Sequence, residues 1–301
     1  MAKEEILPDI KDEFKVVVDD LIKIELENIK LLRNIKAKKK KKKKGKKKKK
    51  KGKKKKALPG EKAIAKYDPK DLLVELVENR IVKKLPPQKL TDFIGEFNYL
   101  HSMLDDLEEA PYDPSMALVR QLVTEYAIFP LGSELVKKRA ELNKSILFYG
   151  PPGTGKTLVV RAVAHETASM VFDLSPLAIE GKYSERKGEE KLVASVMKVA
   201  KEFEPSVIYI DEAEKVFPQK KKGKKGKKKK SDAGSAGRIK KALLAWKKSF
   251  LDASTRICVI GCSSEPFEGN KKEMKTMFDK RVYFPFPDYS TRRLLWKTFI
   301  E

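Results

Sequence analysis

Between Ile146 and Phe284 the hydrophobic period of the chain keeps changing, and that alternation restricts the fold more than any other feature. Apolar runs at Ile146–Tyr149, Met170–Leu174, Val207–Ile210, Ile257–Ile260 and Val282–Phe284 have the length of buried strands. Helical stretches such as Leu158–Thr167 and Glu189–Phe203 separate them. Parallel neighbours need a crossover, and crossover helices must bury their apolar sides, so the alternation predicts a parallel sheet covered on both faces. Ligands of such sheets bind outside the carboxyl ends of the strands. The residues that follow each run are therefore the candidates for chemistry.

The first run leads into Gly150-Pro151-Pro152-Gly153-Thr154-Gly155-Lys156-Thr157, which fits G-x-x-x-x-G-K-[ST] and stands between a strand and a helix. Glycines let the backbone curl so that its N–H groups face inward, and the following helix adds its positive end, a combination suited to phosphate. Lys156 is expected to reach the β- and γ-phosphates of ATP, and the Thr157 hydroxyl to ligate Mg²⁺. The run Val207–Ile210 ends in Asp211-Glu212. Asp211 is expected to hold the magnesium through its water shell, and Glu212 to orient or deprotonate an attacking water if hydrolysis occurs. Each part has a plain alternative, a Gly/Pro turn for the loop and a strand ending in solvated acids for the carboxylates. Their joint placement in an alternating pattern favours the nucleotide reading.

With those residues in place, GPPGTGKT followed by VIYIDEAEKVF resembles the AAA family of P-loop ATPases, over about Tyr112 to Glu301. The resemblance implies an α/β fold, a parallel five-stranded sheet with flanking helices and a small helical lid. Here it would be preceded by an all-α N-terminal region carrying lysine-rich disordered tracts. More narrowly, the segment leading into the phosphate loop and the ending MFDKRVYFPFPDYSTRRLLWKTFIE resemble the IQ-motif and AAA-domain-containing proteins of the nexin–dynein regulatory complex in motile cilia. That likeness implies other subunits of the complex as partners and a place in the cytoplasm, cytoskeleton and axoneme of a cilium or flagellum. The chain contains no I-Q-x-x-x-R-G motif, so calmodulin is a partner only if that element lies outside it.

Departures from the family pattern bear on activity. Where the family usually has an Asn that positions water, this chain has Ser264, a weak sensor candidate with a shorter reach. Where arginines usually act on the neighbouring subunit, the expected positions hold Met274 and Met277, and Arg281 beside the last strand reads as a surface residue. Loss of such an arginine costs on the order of 10³–10⁵ in rate. Slow or absent hydrolysis is the expectation. Tyr183 stands near the position of the substrate-gripping aromatic of AAA unfoldases, but Glu185-Arg186-Lys187 break that pattern and a loop tyrosine is the favoured reading. His101, His165, Cys258 and Cys262 read as packing or surface residues.

The formal charge of +25 is misleading as a sum. Seventeen lysines fall within Lys38–Lys56 and nine within Lys220–Lys230; without them 42 basic face 43 acidic residues, a net charge of −1. Neither tract carries the aromatics that stack on bases, so nucleic acid is disfavoured. The acidic tails of tubulin are one candidate partner, a solvated tail the other reading. No apolar run reaches eighteen residues, and the N-terminus lacks the apolar stretch of a secretory signal, so neither a membrane span nor secretion is expected.

The domain expectation is a helix over 1–36, a lysine-rich linker over 37–56 and a helical region over 57–110. The nucleotide-binding domain follows over 111–289 with the insert at 220–230, and the start of a lid over 290–301. In the first segment Leu7, Ile10, Phe14, Val17, Leu21, Ile24, Asn28, Leu31 and Ile35 hold a 3,4 spacing that suits a coiled coil or an amphipathic helix packed on another surface. In the helical region Leu72 to Val77 and Leu90 to Leu104 read as two helical segments broken at Pro86-Pro87. Three functions remain in view: an ATP-binding scaffold subunit, an active AAA remodelling enzyme, and, least supported, a nucleic-acid-associated ATPase.

Overall fold

Six strands form one sheet: β1 (Val82–Lys83), β2 (Ser145–Tyr149), β3 (Met170–Asp173), β4 (Ser206–Ile210), β5 (Ile257–Ser263) and β6 (Lys280–Tyr283). They lie in the order β1-β3-β4-β5-β2-β6. The computed structural model describes residues 58–97, 113–140, 143–183, 187–219, 235–249 and 255–301. The heptad-patterned 7–35, the lysine tracts of 38–56 and 220–230, and Leu100, His101 and Leu104 lie outside the described residues.

β3, β4, β5, β2 and β6 pair in parallel, so that Phe148 of β2 faces Cys262 of β5 on one side and Val282 of β6 on the other. The period of two then sorts each strand. Leu147, Ile208 and Val259 point to one face, where α1 (Pro69–Glu78), α5 (Gly188–Glu202) and α6 (Ser235–Ser249) supply Leu72, Leu76, Leu192, Val196 and Leu243. Phe148, Val207 and Ile260 point to the other, against Val119 and Val123 of α2 (Met116–Val123) and Val159 and Val163 of α4 (Lys156–Glu166). Both faces are dry, which is why the strands read as continuous apolar runs. None of the described helices is long and apolar enough to cross a membrane.

Four helix starts are fixed by short polar side chains. Ser115 Oγ accepts from Leu118 N (3.3 Å) at α2, and Ser133 Oγ from Val136 N (3.5 Å) at α3 (Glu134–Arg139). Asn270 Oδ1 accepts from Lys272 N (3.1 Å) at α7 (Lys271–Met277), and Asp288 Oδ1 from Thr291 N (2.9 Å) at α8 (Tyr289–Ile300). Each oxygen satisfies a first-turn N–H that has no intrahelical partner.

Two expectations are corrected. The N-terminal region is not all helix, because β1 adds an antiparallel edge strand that pairs Val82 with Phe172; two residues are too few to show a period in the sequence. The second helical segment also fails where it is described. Leu90–Asp92 is a single 3-10 turn and 93–97 is irregular. Phe93 is drawn out of any helix by packing: its ring meets Phe284 edge to face (centroids 5.8 Å apart) and lies against Gly155 of the phosphate loop. Tertiary contact overrides the local pattern here. Cys258 and Cys262 share a face of β5 as free, buried thiols, and burial pushes both upward, Cys258 to about 11.

Candidate functional site

The loop after β2 is shaped from behind by the backbone at the ends of β5 and β6. Gly150 adopts φ 152°, and a Cβ there would stand 2.1 Å from the Phe284 carbonyl oxygen. Gly150 N donates to Ser263 O (3.2 Å), and Thr154 Oγ1 donates to Pro151 O (3.0 Å). Gly153 and Gly155 take φ 80° and 86°, turning the chain into α4. Gly150, Pro151 and Thr154 thus set the curvature. Pro152, Gly153, Gly155, Lys156 and Thr157 line a cavity of about 940 Å³ together with Asp211, Glu212 and Ser264.

Lys156 opens α4 and is 7% exposed. Its Nζ donates to the carbonyls of Gly150 (2.9 Å) and Pro151 (2.6 Å), both neutral. Burial holds its pKa below the ordinary lysine value. A buried ammonium without a bonded carboxylate is costly, and this one faces a cavity at a helix N-terminus. Tyr209 Oη, also at the cavity, is buried beside Thr157, Asp211 and Cys262, and burial drives its phenol far above the ordinary value. A polyphosphate fits this donor set: backbone N–H groups, an under-neutralised lysine and a phenolic donor.

The acid pair at the end of β4 is split by its backbone. Glu212 sits in the left-handed region at φ 46°, ψ 52°, a conformation that costs on the order of 1 kcal/mol outside glycine. Its N–H donates to Asp211 Oδ1 (3.0 Å), and its Oε1 pairs with Lys215 Nζ at 2.5 Å. Asp211 and Thr157 are the metal-ligand candidates on the cavity wall. Ser264, one residue past β5, is exposed at the same cavity.

The structure adds residues that sequence reasoning passed over. Ser175 Oγ accepts the Asp211 N–H (2.8 Å) and donates to Asp173, whose carboxylate is also paired with Lys83. The signal was an Asp-Leu-Ser at the end of a strand run; Lys83 carried none, since it comes from the unforeseen β1. Arg80 and Arg161 also line the cavity.

Before β6 the chain looks different. Met274 and Met277 of α7 are buried, Met277 completely, and Arg281 is exposed on the edge strand. Tyr183 is turned inward: its hydroxyl accepts from Asn79 Nδ2 (3.2 Å), its side chain packs against the core, and burial raises its phenol to about 12. His165 is exposed on α4.

Residues 146–286 match the model of the ATPase family associated with various cellular activities (AAA). The chain carries an AAA domain. Over 323 aligned residues it is 34% identical to the mouse protein called dynein regulatory complex protein 11, covering all of this chain and 37% of that protein. Spastin of the tick Ixodes scapularis is 28% identical over 232 residues, covering 76% of this chain and 31% of that protein. The chain therefore spans roughly a third of the length of these curated relatives. Among solved structures, the FIGL-1 AAA domain in complex with ADP superposes with a TM-score of 0.53 at 23% identity, covering 78% of this chain and 68% of that one. The likeness carries the AAA fold itself: the parallel sheet with the phosphate loop at its carboxyl edge.

Proposed function

We propose that this chain is the ATP-binding AAA portion of a subunit of a nexin–dynein regulatory complex, serving ciliary or flagellar motility as a scaffold that hydrolyses ATP slowly or not at all. The observation that carries the reading is Lys156, buried without a bonded carboxylate in the same cavity as Thr157 and Asp211. In it, the loop from Gly150 to Thr157 binds the phosphates, Lys156 meets the β- and γ-phosphates, and Thr157 and Asp211 hold Mg²⁺. Bound Mg²⁺ supplies charge neutralisation between phosphate oxygens. Glu212 is the group available to orient water, and Ser264 reaches the cavity with a hydroxyl only.

The buried Met274 and Met277 support slow turnover, since neither presents a cation to a neighbouring copy. The mouse relative's name supports the axonemal assignment and other subunits of the complex as partners. The tracts Lys38–Lys56 and Lys220–Lys230 are proposed to bind tubulin's acidic tails by charge alone, and calmodulin enters only through an IQ element outside this chain.

The runner-up is an active AAA remodelling enzyme, favoured by the likeness to spastin and by the presence of Glu212. Steady-state ATP turnover of the chain beside Glu212→Gln separates the two. The scaffold reading expects background rates in both proteins. Turnover of about 1 s⁻¹ or more, abolished by Glu212→Gln, would establish the runner-up instead. Microtubule co-sedimentation should fall when Lys38–Lys56 is deleted; unchanged binding removes the tubulin proposal.

A further inference from the structure

From the geometry we infer that Lys83, Asp173 and Ser175 form a positioning brace for Asp211, the carboxylate proposed to hold Mg²⁺, so that the N-terminal edge strand β1 controls metal binding at the nucleotide site. The inference rests on the nucleotide reading above and names residues to which that reading gives no role.

The brace is continuous. Lys83 Nζ pairs with Asp173 Oδ2, and Asp173 Oδ1 accepts the Ser175 N–H (2.8 Å) and the Ser175 hydroxyl. Ser175 Oγ in turn accepts the Asp211 N–H (2.8 Å). The main chain follows the same path: Asp173 N donates to Ile81 O (2.8 Å) and Leu174 N to Tyr209 O (2.8 Å), tying β1 to β3 and β3 to β4 at the level of the site.

Two features argue for more than fold support. Asp173 is 1% exposed, and a buried carboxylate beside a polyphosphate cavity would repel the ligand unless neutralised. Lys83, itself lining the cavity, neutralises it. The brace also takes hold of Asp211 by its backbone alone, leaving the carboxylate to accept the Glu212 N–H and a metal. Metal-ligating carboxylates depend on such outer partners, whose loss typically costs about 10–100-fold in metal affinity. Lys83 comes from a two-residue strand that, among the described residues, pairs only with β3, so displacement of β1 removes the counter-charge directly.

The test uses the whole chain with ATP and Mg²⁺, reading the free Mg²⁺ concentration that half-saturates nucleotide binding, with metal-free ATP affinity in EDTA and thermal melting on the same proteins. Ser175→Ala and Lys83→Met are expected to raise the half-saturating Mg²⁺ about 10–100-fold, and Ser175→Thr and Lys83→Arg to restore it. If Ser175→Ala fails to fold, the Lys83 pair decides by the same readout. A half-saturating Mg²⁺ that stays at the wild-type value, with or without a lower melting temperature, overturns the brace and leaves the nucleotide site standing. A wild-type chain that binds no nucleotide, with or without Mg²⁺, overturns the site reading and the brace together.

Discussion

β2 and β6 run side by side in parallel, and the segments beside them differ in what they bury. After β2 the chain buries an ammonium: Lys156, 7% exposed and bonded, among the described residues, to two carbonyls of its own loop. Before β6 it buries two thioethers, Met274 and Met277, in the apolar cluster beneath the sheet. A covered cation that opens onto a cavity at a helix N-terminus is placed to meet an anion there, whereas a thioether fills space and recognises nothing charged. The loop side thus offers a covered cation to a cavity, while positions 274 and 277 of α7 offer only apolar side chains to the core.

The harshest way to break the contrast is to put a charge on the buried side of α7. Met277→Arg places a guanidinium at a fully buried position, next to Lys247, whose Nζ already donates to Thr276 O (3.1 Å) and pairs with Asp279 (2.7 Å). An unpaired buried charge should cost about 3–5 kcal/mol, read as a lowered denaturant midpoint, with no gain in ATP turnover. A folded variant with raised turnover would show that α7 is a vacated trans-acting site after all.

On the loop side, Gly150→Ala and Gly153→Ala test curvature against charge. At Gly150 the new Cβ meets the Phe284 carbonyl oxygen, while at Gly153 it meets nothing within 4 Å and only the φ of 80° opposes it. Gly150→Ala is expected to lose on the order of 1–3 kcal/mol of stability and Gly153→Ala about 1 kcal/mol, measured by chemical denaturation. Equal losses would mean that the close approach of β6 to the loop is not what shapes it.

The smallest effect is expected from Thr276→Arg, on the exposed side of the same helix as Met277. Stability should change by no more than about 0.5 kcal/mol, so this variant can ask the trans-acting question without unfolding the domain. Turnover that rises with protein concentration would place the missing cation at 276.

The sequence was readable where local chemistry dictates structure. Five strands are visible because both faces of the sheet are dry, and the phosphate loop because its φ values of 80° to 152° suit glycine. The brace was not readable, since Lys83 and Asp173 meet across ninety residues and β1 is too short to leave a pattern. The segment from Leu90 misled because Phe93 and its neighbours carry helix-like spacing but are spent on packing against Phe284 and Gly155. For Met274 and Met277 the residue type was visible at once, and only the structure showed that the positions are interior.

A site that holds ATP as a ligand should release it unchanged. The most direct measurement incubates the chain and Lys156→Ala with Mg²⁺ and ATP, removes free nucleotide, and identifies what remains bound. ATP should be recovered intact from the wild type, while Lys156→Ala should bind more weakly by about 2–5 kcal/mol and be left empty. Bound ADP formed within seconds, or equal retention by the two proteins, would contradict the ligand role of ATP.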